Sequence, residues 1–300
     1  MTGEELALKF HKLKFEVELY KRSGKSFQDF FEQIMQLSDS SFLPVKPMGS
    51  EGDWKSDGYS VSSNTIYQCY APEELTATRA AKKVKEDFQG AKERWKEKMR
   101  QWVFVWSSDK ALPPQVVAAI VELKQTNPDI AIDDMDRADL WKIVQSLSTS
   151  DRESILGMAP NLNDAPNTSA IEIQVLMKHL GSRNFAPSDS AEFDLTAIVE
   201  KLKRNALSDA VTAFVRPAMP VANVVKEYVS SMPDPEFSEA IGADLAEKYN
   251  ELTASTSDPD AIFGNLVEYV LGSHHLEPKF FWAAAGIVTH YFELCDIFEH

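Results

Sequence analysis

The sequence predicts an α/β domain followed by an all-α domain. Three observations predict it. Strand-type and helix-type segments alternate up to about residue 150, every segment legible beyond about residue 170 has helical periodicity, and residues 158–168 between them have linker composition. The expected boundaries are 1–157 and 158–300.

Residues 4–22 read as a helix, with Leu6, Phe10, Leu13, Val17 and Tyr20 spaced three or four apart. After Gly24, Ser26 suits the N-cap of a second helix over 27–37, with Phe30, Phe31 and Ile34 on its apolar side. Pro44 and Pro47 keep 42–48 extended. Residues 52–61 form a turn feeding a strand, Ser62-Ser63-Asn64 turns again, and Thr65-Ile66-Tyr67-Gln68-Cys69-Tyr70 is strongly strand-forming, so the pair reads as an antiparallel hairpin. A long helix is expected from Pro72 to about Arg100, with acids in its first turn. The apolar run 102–106 suits a buried strand, a helix runs from Pro113 to about Thr126, residues 130–132 suit a short strand, and 137–147 a helix. Beyond the linker the helices are 170–180, 194–205, 208–232 (bent at Pro217 and Pro220), 235–252, 259–271 and 278–298.

The formal charge of −15 is unevenly spread: residues 1–150 hold 21 Lys+Arg against 23 Asp+Glu, and residues 151–300 hold 10 against 23. The near-neutral first half is therefore still able to meet nucleic acid, although the whole-chain charge discourages it. No apolar run reaches membrane-spanning length, and the acidic N-terminus does not read as a secretory signal. Cys69 and Cys295 are too few for a disulfide framework or a cysteine-based zinc site, so a reducing cytoplasm is the expected location.

The strongest chemical feature is Gly52-Asp53-Trp54-Lys55-Ser56-Asp57-Gly58-Tyr59 followed by Gln68-Cys69-Tyr70. Phosphodiester hydrolysis uses a divalent cation held by oxygen ligands. An Asp on one hairpin strand and an acid or amide on its partner can share such an ion, and an amine two residues further on lies on the same face. Asp57 and Gln68 occupy the first two places; Tyr70 occupies the third. This arrangement resembles the PD-(D/E)xK, or restriction-endonuclease-like, nuclease domain in its variant with Gln as second ligand. The resemblance covers about residues 20–150 and implies a mixed central sheet with flanking helices. It implies Mg²⁺ or Mn²⁺ at Asp57 and Gln68, with Glu32 as the helix acid that joins the shell. Tyr70 stands where the catalytic lysine belongs, and a phenol with a reference pKa near 10 is a neutral donor at pH 7. Lys55, Lys82 or Lys83 could supply the amine from a neighbouring element. The simpler alternatives are that Asp53 and Asp57 serve a tight turn and that Glu32 is the solvent side of its helix.

A larger pattern joins residues 27–35, 52–59 and 66–73 with the terminal Tyr291-Phe292-Glu293-Leu294-Cys295-Asp296-Ile297-Phe298-Glu299. It resembles the proteins of ABC-three-component anti-phage systems, with Lamassu the familiar relative. That resemblance implies a defence subunit with a helical C-terminal domain, working beside an SMC/Rad50-like ABC ATPase and a small middle component of the same operon. Double-stranded DNA is a further expected partner, self-association stays open, and no membrane is involved. The chain lacks a Gly-x-x-x-x-Gly-Lys-Ser/Thr loop, so ATP would come through a partner.

The basic concentration at 79–100 offers Arg79, Lys82, Lys83 and Lys85, with Lys55, as a nucleic-acid contact; the alternative is a solvated face laced with i,i+4 ion pairs. His274, His275 and His290 lack metal spacing, and neither cysteine has a sequence-near His. Three functions remain open on these residues: a nuclease-like module that binds DNA or a partner, an active Mg²⁺-dependent endonuclease, and an adaptor with no nucleic-acid role.

Overall fold

The computed structural model describes residues 2–46, 54–181, 197–232, 236–275, 277–294 and 297–298. The Gly52-Asp53 turn, Pro47, Met48, Cys295, Asp296 and Glu299 lie outside the described residues. The chain divides into two compact units, Lys21–Ile155 and Met1–Tyr20 with Leu156–His300.

The first helix, α1 (Gly3–Tyr20), is not part of the sheet-bearing unit, a difference from the expected 1–157 domain. Its apolar residues Leu6, Phe10 and Leu13 join the helical core, and Phe10 meets the rings of Phe214 and Phe281 edge-on at 6.4 and 5.4 Å. Lys14 pairs with Glu268 at 2.5 Å.

In the sheet unit, α2 (Gly24–Ser38) starts earlier than expected, with Ser23 as N-cap. Ser26 instead folds back, its Oγ accepting from the Ser23 N–H at 3.0 Å. Five strands follow in the order β1 (Phe42–Pro44), β2 (Gly58–Ser60), β3 (Thr65–Tyr70), β4 (Gln101–Trp106) and β5 (Ala131–Met135). The first three pair antiparallel and the last three parallel, which makes the sheet mixed. Parallel pairing requires crossovers, and α3 (Ala77–Trp95) and α4 (Pro114–Thr126) provide them. α3 is shorter than expected because its buried stripe, Ala80, Val84, Phe88 and Ala91, extends no further and Lys96 takes φ +50°, outside helical geometry. β5 runs on into Asp133 and Asp134, which an edge strand tolerates. α5 (Arg137–Ser146) starts on an Asp136 cap, and α6 (Thr149–Leu156), which the periodicity did not suggest, closes the unit.

Alternation sorts the sheet's faces. Ile66, Trp102, Phe104 and Trp106 pack with Val84, Phe88, Val116 and Ile120 on the α3/α4 face. Tyr67 packs on the α2 face, 5.6 Å from Phe31 and 5.9 Å from Phe42.

The helical unit adds α7 (Ala170–Gly181), α8 (Ala197–Arg204), α9 (Asp209–Ser230), α10 (Glu236–Ser255), α11 (Pro259–Leu271) and α12 (Pro278–Glu293). Every residue of α12 from Phe280 to Phe292 is buried, so this helix is the unit's axis. Each fully buried large side chain there contributes about 1.5–3 kcal/mol. α9 runs as one helix through Pro217 and Pro220. The linker-like stretch is docked rather than loose: Leu162–Asn167 forms a 3-10 turn, Ala165 is buried, and Trp282 Nε1 donates to the Asn161 carbonyl at 2.8 Å.

Candidate functional site

Asp57 precedes β2 and is fixed by its backbone. Its N–H donates to the Tyr67 carbonyl at 2.8 Å, and its own carbonyl accepts from the Val45 N–H at 3.2 Å. Its carboxylate, 6% exposed, accepts through Oδ2 from Gln68 Nε2 at 2.8 Å and from the Cys69 N–H at 2.7 Å. The two residues that the sequence pattern singled out are thus in contact. Gln68 presents its amide nitrogen to Asp57, which leaves Gln68 Oε1 buried without a hydrogen-bond partner.

Gln68 and Tyr70 share the face of Ile66, whereas Cys69 shares that of Tyr67. Tyr70 stacks on Phe104 and Trp106, with centroids 5.5 and 5.8 Å away. Burial pushes the Tyr70 phenol up, Arg79 opposes the rise, and Asp87 adds to it, so the group stays neutral at pH 7. It does not replace an ammonium.

Glu32 is on the other face. It is 7% exposed, and Lys46 Nζ reaches both its oxygens at 2.6 and 2.7 Å. Gln28 Nε2 donates to it at 2.8 Å, and Lys46 also reaches Asp29 at 3.1 Å. Burial pulls the Lys46 ammonium down, but the hydrogen bonds and charges of Glu32 and Asp29 outweigh it and hold its pKa above the ordinary value. The Cys69 thiol is pushed well up by burial, then by Asp57 and Glu32, with Lys46 opposing. These three charges therefore act on strand position 69, and the upward shift disfavours the thiolate there. Sequence reasoning missed Lys46. The usable signal was period two along the extended run, because Phe42, Pro44 and Lys46 alternate onto the side that Phe42 shares with α2.

The expected basic residues are mostly engaged. Lys55 and Lys83 both pair with Oδ1 of fully buried Asp87, at 3.2 and 2.8 Å. Lys82 pairs with Glu86 at 3.5 Å and Lys85 with Glu122 at 2.6 Å. Arg79 is exposed in the first turn of α3. Asp87 was also missed, although its place between Val84 and Phe88 on the apolar stripe marked it as an acid facing inward. Lys55 and Lys83 share Asp87 as a common anchor.

A divalent ion requires several oxygen ligands converging on one point. Among the described residues, no group of three or more His, Cys, Asp or Glu is placed to hold a metal. Gln68 Oε1 is an oxygen such an ion would take, but Gln68 points its Nε2 at Asp57, and the amide would have to turn over before both residues offered oxygen. Glu32 is taken by Lys46. As arranged, the two carboxylates are compensated by N–H donors and an ammonium, and the residues do not fit the ion.

Residues 172–299, which fall within the helical unit, match the family model described as C-terminal domain 10 of the ABC-three component (ABC-3C) systems. The match covers under half of the chain and supports a subunit of an ABC-three-component system. No curated protein and no solved structure matches the chain.

Proposed function

We propose that this chain is a subunit of an ABC-three-component defence complex in which the sheet unit is a nuclease-derived binding module. The observation that carries the assignment is the match of residues 172–299 to a C-terminal domain of those systems. The proposed partners are an SMC/Rad50-like ABC ATPase and a small middle component, acting in the cytoplasm. The mixed sheet with Asp57 and Gln68 in contact supports descent from a restriction-endonuclease-like domain. The non-catalytic reading is supported by Tyr70, stacked and neutral at the lysine's place, and by the self-satisfied carboxylates. Pairing of Lys82, Lys83 and Lys85 with acids favours a protein partner over a DNA backbone as the unit's ligand. No helix among the described residues is long and apolar enough to cross a membrane.

The test is co-expression of the tagged chain with the ATPase and small subunit encoded beside it. Recovery of a stable complex is expected; a chain that elutes alone refutes the assignment. Plasmid incubated with that complex and Mg²⁺ or Mn²⁺ should stay intact. A second reading, a metal-dependent endonuclease, has the unpartnered Gln68 Oε1 in its favour. Cleavage that Asp57→Ala abolishes would establish it. A salt titration of duplex binding separates the DNA module from the adaptor, since phosphate contacts weaken steeply with salt.

A further inference from the structure

We propose that the Lys46 ammonium is the resident counter-ion of Glu32 and closes the α2 side of this strand edge to divalent cations. The inference rests on the binding-module reading and explains how such a site stays folded without an ion.

Three observations carry it. First, Glu32 is a carboxylate with its side chain 9% exposed, and a buried carboxylate is stable only when paired. Lys46 Nζ approaches both of its oxygens while its own stem stays 47% exposed, so the charge is delivered from the surface to a buried acid. Second, Lys46 is positioned by the sheet. The Val45 N–H donates to the Asp57 carbonyl, one step beyond the Pro44–Gly58 pair, so the strand that delivers the ammonium is tied to the motif aspartate itself. Third, Asp57 has its own donors in Gln68 and the Cys69 N–H, so neither carboxylate flanking strand position 69 depends on a metal ion for compensation. An ammonium two residues beyond β1 thus takes the charge-balancing part that a divalent ion would play at Glu32. It does so permanently, because a covalently tethered cation cannot be removed by a chelator.

The physical alternative is a surface ion pair of no consequence, which measured exposed pairs often are. Burial of Glu32 separates the two. Removing one partner of a buried pair strands the other, whereas removing one partner of an exposed pair changes little.

The experiment compares the full chain with Lys46→Met, Glu32→Gln and the Lys46→Met/Glu32→Gln double variant. It reads thermal unfolding by tryptophan fluorescence in EDTA and in millimolar Mn²⁺, and Mn²⁺ binding by electron paramagnetic resonance. Five of the six tryptophans belong to the sheet unit, so fluorescence reports chiefly on it. The parent should show the same Tm in both buffers and no saturable Mn²⁺ binding. Lys46→Met should lose roughly 5 °C in EDTA. It should recover part of that loss in Mn²⁺, with saturable binding that the double variant lacks. The double variant should be more stable in EDTA than Lys46→Met. If Lys46→Met does not fold, that last comparison still decides: a double variant that also fails to fold overturns the proposal. So does an unchanged Tm in Lys46→Met, or parent binding of Mn²⁺ that Glu32→Gln abolishes. None of these readouts uses DNA or a partner, so failure here is distinguishable from failure of the binding-module reading.

Discussion

Asp57→Ala separates a structural clasp from a catalytic ligand. In the folded sheet the Asp57 carboxylate accepts from Gln68 Nε2 at 2.8 Å and from the Cys69 N–H at 2.7 Å while 6% exposed. A hydrogen bond to a charged acceptor contributes about 1.5–3 kcal/mol, and a buried donor left unpaired costs about 1–3 kcal/mol. Truncation also removes a carboxylate whose burial was itself unfavourable, which offsets part of the loss. The balance is a destabilisation of about 3 kcal/mol, or roughly 10 °C in Tm for a unit of this size. Asp57→Asn, which keeps one acceptor oxygen, should lose about half as much. Urea unfolding followed by tryptophan fluorescence measures both. Asp57→Ala within about 0.5 kcal/mol of the parent, the range of ordinary surface substitutions, would refute the clasp. It would return Asp57 to the role of a ligand held in readiness.

Three further outcomes are expected. At Gly58 an added Cβ would stand 2.2 and 2.5 Å from ring atoms of Phe42, which is held between Phe31 and Tyr67, so Gly58→Ala should destabilise by about 1–3 kcal/mol in the same urea assay. In α12, burial raises Glu293 to about 7 against Lys226, while burial and Lys226 lower His290 to about 4. The folded state holds the Glu293 proton more tightly, so its contribution to stability falls as pH rises from about 4.5 through 7. The His290 contribution is lost in the opposite direction, as pH falls from about 6.5 through 4. Glu293→Gln should therefore raise stability more at pH 7.5 than at pH 5, as checked by denaturation at both. Lys201, 5% exposed, donates to the Phe292 and Ile297 carbonyls at 2.5 and 3.2 Å, and Lys201→Met should cost about 2 kcal/mol by loosening the end of α12 in a denaturation series.

Much of the site was legible because strand alternation is local. An Asp before one hairpin strand and a Gln on the next lie on adjoining strands whichever fold surrounds them, and the register that pairs Gly58 with Tyr67 brings them into contact. Gly58 reads in the sequence as turn chemistry, yet it stands in β2 beneath a ring from β1, and only the pairing register reveals that need. Local rules disfavour proline inside a helix, yet α9 continues through Pro217 and Pro220 with eight of its residues buried.

The sequence by itself determined most of the elements and their order, the change from mixed to all-helical texture, and the placing of Asp57 and Gln68 on adjoining strands, since each depends on neighbours within a few residues or one hairpin. Tertiary structure alone decided that α1 leaves the sheet unit for the helical core. Its apolar stripe fits either partner locally, and the choice is made by Phe214, Phe281 and Glu268, more than two hundred residues away. It also decided which cation meets which acid. Lysines are spread along the chain, and a charge acts over a few ångströms in space, not over spacing in sequence. Hence Lys83 and Lys55 belong to Asp87, and Lys46, which no motif marked, belongs to Glu32.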